Sequence, residues 1–160
     1  MRAFLLLMAA WFSFVPLAAS CTADPMPEKA EIAPEKGTPE PQKDESPMKA
    51  VISVGGKRFT ADIEDTETGR SFLEKLPMTL EMAELNGNEK YCYGVSLPRN
   101  DQYCGSIAAG DIMLYSGNCI VLFYGPAGGF SYTRIGRIAD VAGLADALGE
   151  GSVSVRFEKP

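Results

Sequence analysis

Four side chains with complementary chemistry stand out as candidate ligand contacts. They are Glu81, Tyr124, Tyr132 and Arg134, which supply a carboxylate, two phenol rings and a permanent cation. Concave binding sites combine aromatic or apolar walls with a few polar groups that orient the ligand. We therefore expect these four residues to contribute to a site for a small ligand or a peptide.

The sequence contains no histidine, which restricts the catalytic chemistry open to it. Ser-His and Cys-His nucleophile pairs, HExxH zinc sites and an imidazole general base are all excluded. A zinc site built on cysteines would also lack a fourth ligand. We therefore predict no catalytic residue, no metal site and no cofactor.

The charge and length indicate one acidic domain with tails. Against 15 Lys and Arg there are 21 Asp and Glu, so the formal net charge is −6. A nucleic-acid partner is not expected, because binding to the phosphate backbone requires an excess of basic residues. A chain of 160 residues is typical of a single compact domain, and we expect that domain to be monomeric.

The first 20 residues have the layout of a secretory signal peptide. Arg2 is followed by an uncharged apolar run over residues 3–17, which is shorter than the ~20 residues of a membrane-spanning helix. The run ends in Ala18-Ala19-Ser20-Cys21, which resembles the bacterial lipobox. The resemblance implies that Cys21 is lipidated and anchors the protein to a membrane of the bacterial cell envelope. The alternative is ordinary secretory cleavage, which would give a periplasmic or secreted soluble protein.

Residues 21–47 are predicted to form a disordered linker. Between residues 22 and 47 there are six prolines and seven acidic residues, with no aromatic side chain. Such a composition cannot offset the entropy of ordering by burying apolar surface, and it favours an extended spacer.

Residues 48–160 are predicted to form a mainly β domain with two short helices. Gly55-Gly56 separates two alternating strands, as in a β-hairpin. Asp65 is expected to cap the first helix, and the second covers about residues 140–148. The strands over 111–115 and 119–124 are apolar on both faces. Such strands suit the wall of a small closed barrel that helices partly cover on the outside.

The remaining cysteines are Cys92, Cys104 and Cys119. Cys92 and Cys104 flank a turn-rich segment, and secretion would expose them to an oxidising compartment, so we expect a disulfide between them. Cys119 lies among apolar strand residues and is expected to be a buried, unreactive thiol.

Several stretches resemble the bacterial cyclophilin-like domain family. They are Leu76-Pro77-Met78-Thr79-Leu80-Glu81-Met82, Leu85-Asn86-Gly87-Asn88-Glu89-Lys90-Tyr91, Gly110-Asp111-Ile112-Met113-Leu114-Tyr115, Asn118-Cys119-Ile120-Val121-Leu122-Phe123-Tyr124 and Ser131-Tyr132-Thr133-Arg134-Ile135-Gly136. The resemblance covers essentially all of the domain. It implies a compact, cyclophilin-type β-barrel with two helices, and it carries no settled function.

Three functions are compatible with this resemblance. The first is a binding module for a small ligand or peptide, without established catalysis. The second is a divergent prolyl isomerase acting on envelope proteins, in which Arg134 or Arg137 would stabilise the transition state electrostatically. The Phe-His-Arg signature of prolyl isomerases is absent, which favours the first. The third is a structural interaction module in an envelope assembly.

Overall fold

The structure is a computed structural model that describes residues 48–160. The predicted signal peptide (1–20), the predicted linker (21–47) and the expected lipidation site Cys21 lie outside the described residues. Within 48–160, no helix has the length and apolar character needed to cross a bilayer.

Residues 48–160 contain nine strands and two helices. The strands are β1 (Lys49–Val54), β2 (Lys57–Ile63), β3 (Met78–Leu85), β4 (Glu89–Tyr93), β5 (Gln102–Cys104), β6 (Asp111–Tyr115), β7 (Cys119–Phe123), β8 (Phe130–Ile138) and β9 (Val153–Glu158). The helices are α1 (Glu67–Glu74), between β2 and β3, and α2 (Leu144–Leu148), between β8 and β9.

Eight of these strands close into an antiparallel barrel. The order across the sheet is β2-β1-β9-β3-β4-β7-β6-β8-β5, and β2 also pairs with β8 through Ala61 and Ile138. This last pairing closes the barrel, and β5 is left paired to β8 as a ninth strand. The structure therefore confirms the predicted mainly β fold with a small closed barrel and two helices.

The main core fills the barrel and extends under both helices. Alternate residues of β1 (Ala50, Ile52 and Val54) are buried in it, as the two-residue period of a strand requires. Phe72 of α1 belongs to the same core, and its ring meets Phe157 edge-on with centroids 5.7 Å apart. Each helix thus covers the barrel interior with its apolar side chains.

The residue that caps α1 differs from the prediction. Thr66 has an extended backbone, and its side chain accepts a hydrogen bond from the amide of Gly69 at 3.1 Å. Asp65, which we expected to be the cap, instead accepts a hydrogen bond from the side chain of Arg70. Either residue type suits an N-cap, and the position of the first helical turn decides between them.

A second apolar cluster lies on the outer face of β6 and β7. It contains Ile107, Met113, Cys119, Val121, Phe123 and Tyr132. Both faces of these two strands are therefore buried, as predicted. However, the cover comes from β8 and the loop around Ile107, and within 48–160 no helical residue takes part in the cluster.

The predicted disulfide between Cys92 and Cys104 is not formed. Both residues, and also Cys119, have free thiols. Cys92 packs against the main core, whereas Cys104 packs against the outer cluster. Between their strands, β4 and β5, the sheet contains β7, β6 and β8, so closeness in sequence does not bring the sulfurs together. Cys119 is buried, as expected.

Candidate functional site

An aromatic cleft lies on the outer face of the wall formed by β4, β7 and β6. Side chains alternate between the two faces of a strand, so Glu89, Tyr91 and Tyr93 of β4 project to the same side. Tyr93 lies opposite Cys119 of β7, and Cys119 lies opposite Tyr115 of β6. Two tyrosines are therefore placed on either side of one buried cysteine.

The cleft has a volume of about 320 Å³ and is walled mainly by aromatic rings. Its aromatic residues are Tyr91, Tyr93, Tyr115, Phe130 and Tyr132, and its polar residues include Asn86, Glu89 and Cys119. A smaller pocket of about 180 Å³ adjoins it and shares Asn86, Glu89, Phe130 and Tyr132. The larger cavity is within the range typical of small-molecule sites.

The aromatic rings of the cleft are arranged in pairs and partly exposed. The ring centroids of Tyr115 and Tyr132 are 5.7 Å apart, and those of Tyr91 and Tyr93 are 5.9 Å apart. Phe130 is 62% exposed and Tyr93 is 57% exposed. Exposed aromatic groups clustered around a concavity are characteristic of binding surfaces.

Glu89 is the buried acid of the cleft. It is only 7% exposed, and its Oε1 accepts a hydrogen bond of 3.2 Å from the side-chain amide of Asn86. Burial raises the pKa of Glu89, and the negative charge of Glu84 adds to the rise, while the bond from Asn86 opposes it. Within residues 48–160, no lysine or arginine forms an ion pair with this carboxylate.

Tyr132 and Cys119 are protonated at neutral pH. Burial first, and then the nearby Glu89 carboxylate, raises the pKa of Tyr132 to about 12. Burial also raises the pKa of Cys119 to about 11. A thiol is a poor nucleophile in that state. The cleft therefore offers a phenol for hydrogen bonding and no activated thiol.

Of the four residues expected to bind a ligand, only Tyr132 lies in the cleft. The Tyr124 hydroxyl donates a 2.7 Å hydrogen bond to Glu84. Arg134 donates one of 3.1 Å to the buried carboxylate of Asp111. Glu81 is exposed on β3, opposite Ser154. The structure thus does not bring these four side chains together.

The other main residues of the cleft were not predicted from the sequence; they are Glu89, Tyr91, Tyr93, Tyr115 and Phe130. The signal for three of them is in the segment Glu89-Lys90-Tyr91-Cys92-Tyr93. Its alternation places one acid and two tyrosines on a common strand face.

Lys90 occupies the opposite face of β4 and has a structural role. It is fully buried, and its Nζ donates hydrogen bonds to the carbonyl oxygens of Gly149 (2.8 Å) and Gly151 (2.7 Å). The same nitrogen lies 2.5 Å from Oε2 of Glu84. Burial alone would raise the pKa of Glu84, but the bonds from Lys90 and Tyr124 and the Lys90 charge lower it overall. Lys90 thereby joins the turn after α2 to the barrel wall.

No group of three or more acidic, cysteine or histidine side chains suited to a metal ion is present in residues 48–160. The groups that line the cleft include aromatic rings, the Glu89 carboxylate and the Tyr132 phenol.

The closed eight-stranded barrel with two helices is the architecture of a small cyclophilin-type domain. A sequence model described as the cyclophilin-like family matches residues 52–158, and the chain belongs to that family. The fold is similar to the solution structure of the hypothetical protein AF2241 from Archaeoglobus fulgidus, with a TM-score of 0.54 and 22% sequence identity. The match covers 71% of this chain and 95% of that chain. No match to a curated protein was found.

Proposed function

We propose that this protein is a ligand-binding module and that the aromatic cleft is its binding site for a small molecule or a peptide. One observation carries the proposal: five aromatic residues surround the buried carboxylate of Glu89 in a cavity of about 320 Å³. The arrangement provides apolar contact area together with a polar group that can orient a ligand.

The exposure of the rings argues against a purely structural role. Packing alone would favour burial of Phe130 and Tyr93, yet both are more than half exposed. The two lie on different strands, β8 and β4, and line the same cavity. Burial of such rings against a ligand would contribute hydrophobic free energy that the isolated domain does not gain.

Ligand-observed NMR screening of the full-length protein against small fragments tests this proposal. Fragments that bind should compete with one another, and Tyr132→Ala should weaken them about tenfold or more, as expected when a central aromatic contact is removed. The matched control is Tyr103→Ala, because Tyr103 is 72% exposed and lies outside the cleft. Equal binding to the protein and both variants, or no binding at all, contradicts the proposal.

We also propose that lipidated Cys21 anchors this module to a membrane of the bacterial cell envelope. The support is the signal-like segment over residues 1–20 followed by Cys21. The Cys21→Ser substitution should abolish metabolic labelling with a fatty acid and move the protein from the membrane to the soluble fraction. Unchanged membrane retention of the unlabelled variant contradicts lipid anchoring.

A divergent prolyl isomerase is the second candidate function. Arg134 supports it, because it lies two residues after Tyr132 on β8 and its side chain is 37% exposed. Because side chains alternate along a strand, Arg134 lies on the same face of β8 as Tyr132. Isomerisation of a proline peptide by the full-length protein, compared with Arg134→Ala, tests this function. A rate equal to the uncatalysed rate excludes it.

A further inference from the structure

We propose that the natural ligand of the cleft is a small organic cation, whose ammonium group lies between the Glu89 carboxylate and the tyrosine rings. This inference rests on the proposed binding function and adds the chemical class of the ligand. Three features of the cleft support this inference. Glu89 lacks a counter-ion among the described residues, the walls expose the faces of aromatic rings, and a single carboxylate is too few oxygen ligands for a metal ion.

The first feature is that Glu89 is a buried acid without a counter-ion. Its single side-chain partner within residues 48–160 is the neutral amide of Asn86, at 3.2 Å. The adjacent residue, Lys90, does not compensate it, because Lys90 lies on the other face of β4 and pairs with Glu84. A buried charge is costly unless it is paired, and a cationic ligand would complete the pair.

The second feature is the composition of the walls. Tyr91, Tyr93, Tyr115 and Tyr132 line the cleft, and no described lysine or arginine does so. The faces of aromatic rings carry negative potential and attract cations within about 6 Å of the ring centre, most strongly when water is excluded. The aromatic walls and the Glu89 carboxylate therefore both favour a positively charged ligand.

The third feature is that the cleft has one carboxylate in a largely aromatic wall. Calcium takes six to eight oxygen ligands, and magnesium requires an octahedral set. This wall does not provide such a set. An ammonium group carrying apolar substituents fits better, because its carbon atoms contact the rings while its charge faces Glu89.

Calorimetric titration of the full-length protein with choline and with its neutral isostere, 3,3-dimethyl-1-butanol, isolates the contribution of charge. We expect choline to bind at least about tenfold more tightly, which corresponds to about 1.4 kcal/mol. Glu89→Gln should abolish this preference by lowering the affinity for choline to about that of the neutral isostere. Glu74→Gln removes an exposed acid of α1 and should leave both affinities unchanged, which controls for net charge.

Spermidine and N-acetyl-lysine amide extend the test to other cations. If either binds in place of choline and loses its affinity in Glu89→Gln, the cationic class is supported and the ligand type is narrowed. If neutral fragments bind in a Tyr132-dependent manner while no cation binds more tightly than its neutral counterpart, the cation inference is overturned and the binding function stands. If no fragment or cation binds in the cleft, both fail.

Discussion

Glu89 and Lys90 are adjacent on β4 and carry opposite charges, but their side chains lie on opposite faces of the barrel wall. Lys90 is fully buried, with two carbonyl oxygens and the Glu84 carboxylate around its ammonium group. Glu89 is nearly as buried and has one amide donor. The lysine is thus satisfied within the fold, while the acid has no counter-ion among residues 48–160.

The first prediction is that Glu89→Gln stabilises the protein at neutral pH. Glutamine keeps the acceptor for Asn86 and removes a buried charge, so the free energy of unfolding should rise by about 1 kcal/mol. In a domain of this size that corresponds to an increase in Tm of roughly 4 °C. Thermal unfolding followed by circular dichroism measures it.

The pH dependence of this gain checks its cause. The titratable groups coupled to Glu89 are Glu84, Tyr124, Tyr132 and Cys119, and none is a cation. A raised pKa in the folded state means that stability is greatest when Glu89 is protonated and falls as the pH rises through that pKa. The advantage of Glu89→Gln should therefore shrink on acidification. If Glu89→Gln raises the free energy of unfolding by the same amount from pH 4 to pH 8, the gain comes from packing and not from removal of the charge.

The second prediction is that Lys90→Met strongly destabilises the barrel. The substitution leaves the carbonyl oxygens of Gly149 and Gly151 without their donor and leaves Glu84 as a partly buried, unpaired acid. Breaking a buried ion pair from one side typically costs about 3 kcal/mol or more. Urea unfolding measures the loss.

Lys75→Met provides the control for this prediction, because Lys75 is exposed at the end of α1. Adding Glu84→Gln to Lys90→Met should recover part of the loss, since the double variant no longer contains an unpaired charge. A Lys90→Met variant as stable as Lys75→Met would contradict a structural role for Lys90.

The third prediction concerns acid stability and Asp101. Asp101 accepts 2.6 Å hydrogen bonds from Thr133 Oγ1 and from Nε of Arg99. Burial alone would raise its pKa, but these bonds and the Arg99 charge hold the pKa below the ordinary value of 3.8. The stabilisation is therefore complete above that value and is lost as the pH falls through the lower, folded-state pKa.

Asp101→Asn should consequently lower the free energy of unfolding at pH 7 by about 1 kcal/mol. Its stability should fall less steeply than that of the parent protein between pH 4 and pH 2. Urea midpoints measured across this range test the sign. Parallel pH profiles for the two proteins would show that Asp101 does not supply the acid-sensitive stability.

The fourth prediction is that Cys92, Cys104 and Cys119 are all thiols. Alkylation in denaturant without reductant, followed by mass spectrometry, should modify each of them. In the native protein Cys119 should react most slowly, because it is buried and its pKa is raised to about 11. Recovery of a peptide pair that links Cys92 to Cys104 would contradict the structure.

The barrel was largely predictable because local sequence patterns, namely turn residues and alternating apolar positions, indicate its strands. Gly55 and Gly56 adopt positive φ values of 55° and 74°, the backbone that a tight two-residue hairpin requires. The alternation on either side of them then places Ile52 opposite Phe59 in the core. Turn chemistry and strand period together specify such a hairpin without any long-range information.

The cleft was less predictable because its walls come from strands that are distant in sequence. The alternation of β4 shows that Glu89 and Tyr91 share a face, but not that β7 lies beside them and pairs Tyr91 with Val121. The expected site also grouped Tyr124 with Tyr132. In the structure, Tyr132 lines the cleft, whereas Tyr124 lies outside it and donates a hydrogen bond to Glu84. Only the order of strands around the barrel shows which faces meet.

Amide chemical-shift mapping of the full-length protein, titrated with the tightest-binding fragment or cation, shows directly whether the aromatic cleft binds ligand. The largest shifts should occur at Glu89, Tyr91, Tyr93, Tyr115 and Tyr132, and Glu81 on β3 should shift little. Shifts confined to residues outside the cleft would contradict the assignment of the aromatic cleft as the binding site.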